Sequence, residues 1–268
     1  MRKKKIITLA IAFLALVPAF AVLNEKDLPH TLSVLRYELQ AAWKNAEARK
    51  TQNSIASLRL AQENGFWGSE FDVHITADDV VVVNHDKTYG GLPIHKSTYA
   101  QLSAHPQKNG EQLSTIQAYL DQGAKSNCML VLELKPQDSR EKADRMLDIC
   151  VEALKERDLY NPARVMFISF DLEACKRIAR EMPEFTNQYL NGELSPEELK
   201  ELGINGLDYH MSVFRKHPDW VERAHRLGMG VNVWTVDSKA DMKYFIGLGV
   251  DCITTNKPVR LRDILSGR

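Results

Sequence analysis

The stretch GVNVWTVDSKADMKYFIGLGVDCITTN, residues 230–256, contains in order the three parts of a βαβ unit. GVNVWTVD and VDCITTN are short runs rich in β-branched and aromatic residues, which is typical of buried strands. SKADMKYFIGLG between them has helical character, with Ser238 near the predicted helix start and Gly247 near its end. Two strands joined by such a helix lie parallel in one sheet, so the stretch predicts a parallel α/β fold.

The same alternation of strand and helix recurs through most of the chain. Gly203 and Gly228 end two further predicted helices in the way that Gly247 ends this one. Seven or eight such units in 268 residues fit a TIM (β/α)8 barrel better than a doubly wound sheet. No GxGxxG motif opens a helix after the first strand, which counts against a dinucleotide-binding fold. The predicted fold class is therefore α/β, a TIM barrel.

Two segments depart from this regular order. VVVVNHD, residues 80–86, follows the strand SEFDVHI after only a few residues, so it is predicted to be a small inserted excursion at the barrel mouth. The first unit is degenerate, because LSVLRYELQAAWKNAEA, residues 32–48, has helical spacing of Leu35, Leu39 and Ala42. No confident first strand is predicted there.

The amino-terminal residues have the pattern of a secretory signal. MRKKK is followed by the apolar run IITLAIAFLALV and by small residues at Ala19 and Ala21. We expect a signal peptide over residues 1–21, one TIM-barrel domain over 22–268, and export to the periplasm or the medium, with no membrane span left after cleavage. The alternative is an uncleaved anchor, although the apolar run is shorter than the ~20 residues of a membrane span.

Charge and cysteine content exclude some classes of function. The 35 basic and 35 acidic residues balance, so there is no global basic field of the kind that nucleic-acid-binding proteins use. The four cysteines have no CxxC spacing and sit in or beside apolar runs. We expect small buried hydrophobic residues rather than a zinc site, with disulfide pairing in an exported protein as the alternative.

Charged residues occur near the ends of predicted buried strands. Glu70 and Asp72 share one face of a strand, and Glu133 and Lys135 share one face of another. His85 ends the excursion. Three carboxylates from two strands can hold a hard cation such as Ca²⁺ or Mg²⁺. Each residue alone could be a solvated strand face, a surface ion pair or a loop histidine, but isolated charges in buried strands are costly without partners.

These elements together resemble the glycerophosphodiester phosphodiesterase family. The resemblance rests on QNSIASLRLAQENGFWGSEFDVHITADDVVVVNHD, LVLELK, SFD at residues 169–171, VNVWTVD and ITTNKP. It covers nearly the whole chain from Trp43 onward and implies a TIM barrel with an inserted excursion.

The resemblance also implies roles for individual residues. It implies one divalent cation, Ca²⁺ or Mg²⁺, on Glu70, Asp72 and Glu133. It implies that His85 is a general acid/base and that Lys135 contacts the phosphate. Trp234 would line the pocket on the glycerol side, with packing at the barrel top as the alternative. The implied reaction is metal-dependent hydrolysis of a small-molecule glycerophosphodiester to glycerol 3-phosphate and an alcohol; the resemblance leaves the oligomeric state open.

The chain departs from the family at one motif. The usual His-Arg-Gly at the end of the first strand would fall near Leu39-Gln40-Ala41, and the usual Pro-Glu-Asn is altered at Gln52-Asn53. Three explanations stay open: a phosphodiester-binding protein with impaired turnover, a substitute histidine, or a reading-frame error over residues 23–42. The substitute histidines are His30, His74 and His210. A phosphodiesterase for another lipid-derived head group is a further alternative.

Overall fold

The computed structural model describes residues 37–39, 48 and 51–267. Its strands, in chain order, are β1 Tyr37–Leu39, β2 Gly68–Ile75, β3 Val81–Val83, β4 Thr88–Tyr89, β5 Leu92–Pro93, β6 Met129–Leu134, β7 Val165–Ser169, β8 Asn187–Tyr189, β9 Gly206–His210, β10 Gly230–Trp234 and β11 Cys252–Thr254. Within this part of the chain, β1, β2 and β6–β11 pair in parallel, each with the next, and β11 pairs with β1. The eight strands therefore close a TIM barrel, which confirms the predicted fold class.

The helices of the same residues are α1 Ile55–Glu63, α2 Tyr99–Ser103, α3 Ile116–Gly123, α4 Arg140–Lys155, α5 Leu172–Glu181, α6 Pro196–Glu201, α7 Met211–Lys216, α8 Asp219–Arg226, α9 Lys239–Leu248 and α10 Pro258–Leu265. Ser238 caps α9, as its position in the sequence predicts: its side chain accepts a hydrogen bond from the backbone N–H of Asp241. The prediction for Gly247 is wrong, because it lies inside α9. Gly249 ends the helix instead, with a left-handed φ of 89°.

The first barrel strand corrects the prediction of helical character around Leu39. Residues 37–39 form β1, and their register places Tyr37 beside Cys252 of β11 and Leu39 beside both Thr254 and Gly68. A three-residue strand is specified by neighbours on both sides, which a helical spacing in the local sequence does not reveal. The other residues of the predicted helix, apart from Ala48, and the predicted signal peptide lie outside the described residues.

The inserted excursion is present where the sequence predicts it. β3 pairs antiparallel with β2 and is followed by the β4–β5 hairpin, a 3₁₀ turn over Ile94–Lys96 and α2. Val81 and Val83 face the main core, whereas Val82 faces a separate small core with Ile94 and Leu102. The strand β3 is therefore a wall between two hydrophobic cores, and it leads directly to His85.

Two large apolar clusters lie between the barrel and its helices, and a third lies inside the barrel. The inner cluster includes Val131, Met166 and Ile168, with Phe170 and Trp234 packed at its edge. All four cysteines are buried and unpaired, which confirms the prediction of small hydrophobic residues. In the described part of the chain, no helix has the length and apolar character needed to cross a membrane.

Candidate active site

A cavity of about 210 Å³ lies at the carboxyl ends of the barrel strands. Its described lining consists of Glu70, Asp72, His85, Val131, Glu133, Lys135, Ile168, Phe170, Leu190, Asp208, Trp234, Thr235 and Thr254. All six site residues predicted from the sequence are among them. The carboxyl end of the strands is where the loops of a TIM barrel build an active site.

The three carboxylates are brought together by strand register. Asp72 of β2 is directly beside Glu133 of β6, and Glu70 lies two residues before Asp72 on the same face. One ligand oxygen from each of the three lies within 4.8 Å of the others. Asp72 and Glu133 are only 2% and 7% exposed, so their charges are held away from water.

Lys135 and Asn53 fix the positions of the buried carboxylates. The Lys135 ammonium lies 2.6 Å from Oδ1 of Asp72 and 2.7 Å from Oε1 of Glu133. On the other side, Asn53 Nδ2 donates to Asp72 Oδ2 over 2.7 Å, and the Asp72 backbone N–H donates to Asn53 Oδ1 over 3.0 Å. Asp72 is thus held at both its backbone and its side chain.

The cluster contains more negative than positive charge, and this excess raises the pKa values of Glu70 and Glu133. Burial, followed by repulsion from Asp72 and Glu133, raises the pKa of Glu70 well above its usual range. Burial and Asp72 raise the pKa of Glu133 to about 8. Burial alone would lower the pKa of Lys135, but attraction to Asp72 and Glu133 outweighs burial and raises it. Among the residues that the structure describes, one ammonium therefore leaves the three carboxylates incompletely neutralised.

The donor set fits a hard divalent cation. Oε1 of Glu70 is buried and has no hydrogen-bond partner in the described part of the chain, although unpaired buried oxygens of this kind are costly. The cluster offers only carboxylate oxygens, which are ligands that Ca²⁺ and Mg²⁺ prefer over nitrogen or sulfur. A cation on Glu70, Asp72 and Glu133 would supply the missing positive charge.

His85 borders the cavity from the excursion. Its Nδ1 lies 2.8 Å from Oδ1 of Asp86, and its side chain is 57% exposed. His74 lies behind it, with Nε2 3.3 Å from the His85 carbonyl oxygen, and burial lowers the pKa of His74. Asp86 orients the His85 ring, while His74 supports the backbone that carries it.

A second histidine does not join His85 in the described lining, and neither does an arginine. His74 is buried behind the cavity wall. His210 caps α7, because its Nδ1 accepts from the backbone N–H of Ser212 over 3.3 Å and also lies 2.8 Å from the Ser212 hydroxyl. Its ring packs edge-on against Trp234. His30 lies outside the described residues. The described histidines therefore supply no substitute that faces the carboxylates.

Trp234 borders the cavity and also packs at the barrel top, while its contact with the glycerol side of a substrate stays a prediction. It lines the cavity, and its ring packs edge-on against Phe170 with the ring centroids 5.8 Å apart. Its indole N–H donates to the carbonyl oxygen of Asp208 over 2.9 Å. The indole is thus held as a rigid apolar wall.

Comparison with known proteins identifies the family. The family model described as the glycerophosphoryl diester phosphodiesterase family matches residues 44–260. The chain belongs to this family. A glycerophosphodiester phosphodiesterase from Caldanaerobacter subterraneus subsp. tengcongensis is 26% identical over 229 residues, covering 80% of this chain and 92% of the relative.

Solved structures of the family agree with the barrel. A glycerophosphodiester phosphodiesterase from Parabacteroides distasonis is 44% identical, with a TM-score of 0.83, and the alignment covers 87% of this chain and 97% of that one. An Oleispira antarctica phosphodiesterase, solved with the product sn-glycerol-3-phosphate, is 22% identical with a TM-score of 0.74, covering 87% and 97%. The family and the enzyme class predicted from the sequence are thereby confirmed.

The site of this family member contains two further polar residues, Asn53 and Asp208, that the sequence does not predict. In the sequence Asn53 stands out only as part of an altered motif, because its contact with Asp72 spans 19 residues. Asp208, in GLDYH of β9, is 2% exposed and lines the cavity, and its Oδ1 has no partner among the described residues. Asp208 is a charged residue inside a buried strand, and the same signal in the sequence predicts Glu70 as a site residue. Burial raises the pKa of Asp208 to about 7, against an opposing hydrogen bond from Asn232.

We expect Lys135→Met to lower the free energy of unfolding of the metal-free protein by about 3 kcal/mol, because it leaves two buried carboxylates without their cation. Millimolar Ca²⁺ or Mg²⁺ should restore part of the loss. Urea unfolding with EDTA and with metal measures both effects. Lys142→Met is the matched control, since Lys142 pairs with Asp79 at the surface and should contribute less than about 1 kcal/mol. Equal losses of unfolding free energy in the two variants would contradict the conclusion that Lys135 neutralises buried carboxylates.

Asp208 should make stability depend on pH. Its pKa is raised in the folded state, so its stabilising contribution is complete below the unfolded pKa near 4 and is lost as pH rises through about 7. Asp208→Asn removes this titration. The difference in unfolding free energy, variant minus wild type, should therefore be roughly 1 to 4 kcal/mol more positive at pH 8 than at pH 4. Urea titrations of the metal-free proteins measure it; a constant difference would refute the buried neutral carboxyl.

Proposed function

We propose that this protein hydrolyses glycerophosphodiesters to glycerol 3-phosphate and an alcohol, using one divalent cation, Ca²⁺ or Mg²⁺. The observation that carries the proposal is the buried Glu70–Asp72–Glu133 cluster, with Lys135 beside it, in a member of this family. The Oleispira antarctica relative, solved with sn-glycerol-3-phosphate, supports the choice of product.

The residues of the chain have distinct roles in this reaction. A cation bound to the three carboxylates would offset the charge of the phosphodiester monoanion. Lys135 contributes a second positive charge to the phosphoryl oxygens, as a compact ammonium can. Trp234 and Phe170 give an apolar wall for the carbon chain of the glycerol.

Proton transfer falls to His85. Water attacks phosphorus, the bond from phosphorus to the head-group oxygen breaks, and His85 protonates the departing alkoxide. The proton lost by the attacking water passes to solvent or to a second base. Asp86 keeps the ring oriented through its contact with Nδ1, which leaves Nε2 for the substrate.

Turnover tests the proposal directly. Glycerophosphocholine, glycerophosphoethanolamine, glycerophosphoglycerol and glycerophosphoinositol are incubated with the protein in Ca²⁺, Mg²⁺ or EDTA, and glycerol 3-phosphate is measured. We expect release from at least one diester with metal and none with EDTA. Release that EDTA does not change would reject the metal, and no release from any diester would reject hydrolysis.

A second candidate is a phosphodiester-binding protein without turnover. The observation that favours it is the lack of a second histidine or an arginine in the described lining of the cavity. Thermal stabilisation by a glycerophosphodiester, with no product after long incubation, would support binding alone. Metal-dependent turnover that is lost in a His85 variant would exclude this candidate.

We also propose that the chain is exported, with residues 1–21 removed as a signal peptide. The charged start, the apolar run and the small residues at Ala19 and Ala21 support this. Expression of the full chain in a bacterial host, followed by fractionation and amino-terminal sequencing, tests it. A mature terminus at Val22 in the periplasm or medium is expected, and an intact terminus in the cytoplasm would reject export.

A further inference from the structure

A second cavity, of about 480 Å³, adjoins the barrel cavity and shares His85 with it. Its described walls come from the segment before α1, the residues after β3, the β4–β5 hairpin and the loop after α2. The wall that contains His85 is thus common to both cavities. A molecule that has its phosphate at the carboxylate cluster can extend past His85 into this space.

Two buried polar atoms in its walls lack partners. Oγ1 of Thr51 and Oε1 of Gln107 are buried and have no hydrogen bond to any described residue, and their residues are 8% and 9% exposed. Both backbones are held in place: Thr51 N–H donates to Ala48 over 2.8 Å, and Gln107 N–H donates to Glu111 over 2.8 Å. Gln107 Oε1 can only accept, and the Thr51 hydroxyl can accept or donate. Because unpaired buried polar atoms are costly, a ligand with hydroxyl or amine hydrogens would satisfy both.

The charges of the walls favour a neutral ligand. Asp86 is already paired with His85, and Lys108 adds one ammonium, so the described walls have no excess of carboxylate to attract a cation. Tyr89 contributes one phenol ring, and its hydroxyl donates to the His105 carbonyl oxygen over 2.7 Å. One phenol is not the cage of aromatic faces that recognises a quaternary ammonium.

We infer that this second cavity binds the head group of the substrate, and that the head group is a neutral polyol. The inference rests on the proposed function, because it places in the second cavity the alcohol whose oxygen His85 protonates. The polyol hydroxyls donate to Gln107 Oε1 and to Thr51 Oγ1. Choline in a diester carries no hydrogen-bond donor, so it leaves both oxygens unpaired.

Relative rates test the head-group preference. In the metal-loaded protein, kcat/KM for glycerophosphoinositol or glycerophosphoglycerol should exceed that for glycerophosphocholine by at least about tenfold. Gln107→Leu and Thr51→Val should each lower the polyol value by about fivefold, the effect of losing one hydrogen bond of roughly 1 kcal/mol, and should lower the choline value much less. Gln117→Leu, on α3 outside both cavities, is the matched control. Equal rates for the head groups, or equal losses for all substrates, would overturn the inference.

A binding experiment separates this inference from the proposed hydrolysis. Saturation-transfer NMR with free myo-inositol and free choline as probes should give a signal for myo-inositol alone, and Gln107→Leu should remove it. Thr51→Val gives an independent reading if Gln107→Leu unfolds. Polyol binding without turnover of any diester would reject hydrolysis and keep the polyol site. Turnover with equal signals for both probes would reject the polyol site and keep hydrolysis.

Discussion

Glu70→Gln should lower kcat/KM for a glycerophosphodiester by at least about 10³-fold, because charge stabilisation by a metal is worth several kcal/mol in the transition state. The substituted amide keeps the shape of the side chain and loses the charge that a divalent cation needs. Thermal stabilisation of the wild type by Ca²⁺ or Mg²⁺, which follows from preferential binding to the folded state, should shrink in the variant.

The same substitution should make the metal-free protein more stable. Burial and two neighbouring carboxylates raise the pKa of Glu70, so its ionised form destabilises the folded state at pH 8. The neutral amide removes that cost, and the free energy of unfolding in EDTA should rise by about 1 to 3 kcal/mol. Glu193→Gln is the matched control, because Glu193 is exposed and bonds Tyr189 away from the carboxylate cluster. A Glu70→Gln variant that is active, or one that is inactive and less stable, would contradict the metal assignment.

His85→Ala should lower kcat by about 10²- to 10⁴-fold, the usual contribution of a positioned acid or base. KM and metal-induced stabilisation should change little, since His85 is not among the proposed metal ligands. The loss of rate should be smaller when the leaving alcohol is more acidic. A p-nitrophenyl diester, whose leaving group needs little protonation, should lose much less rate than a glycerophosphodiester.

His95→Ala is the control for this experiment. His95 also belongs to the excursion, and it also pairs with a carboxylate, at 2.9 Å from Asp138. It is not in the described lining of the barrel cavity, so its loss should leave kcat within about twofold. If both variants have wild-type rates, His85 does not transfer the proton.

The barrel and the carboxylate cluster could be predicted because both follow from short-range rules. Strand and helix alternate with clear start and stop signals, and a charged residue in a buried strand needs a partner. Glu70, Asp72 and Glu133 satisfy that rule on two strands that the topology makes adjacent. The roles of His85, Lys135 and Trp234 came from the family resemblance, and they remain predictions.

The remaining features depend on contacts that the local sequence does not contain. The strand Tyr37–Leu39 exists because two distant strands flank it, although its own neighbourhood has helical spacing. The hydrogen bond from Asn53 to Asp72 joins residues that are far apart in the chain. The raised pKa of Asp208 results from burial in the folded protein. The second cavity is formed by four separate segments, so no motif marks it. The position of the missing His-Arg-Gly, at the end of β1, is consistent with Leu39 as its counterpart.

The strand β3 separates two cores, and this has an evolutionary consequence. Val82 anchors the excursion through a set of apolar contacts distinct from those that Val81 and Val83 make with the barrel. Substitutions in the outer set can accumulate without disturbing the packing around the carboxylates, because distant and unshared contacts act additively. Related proteins could thus change their preference for the head-group alcohol through substitutions in the excursion, while the carboxylate cluster in the barrel stays the same.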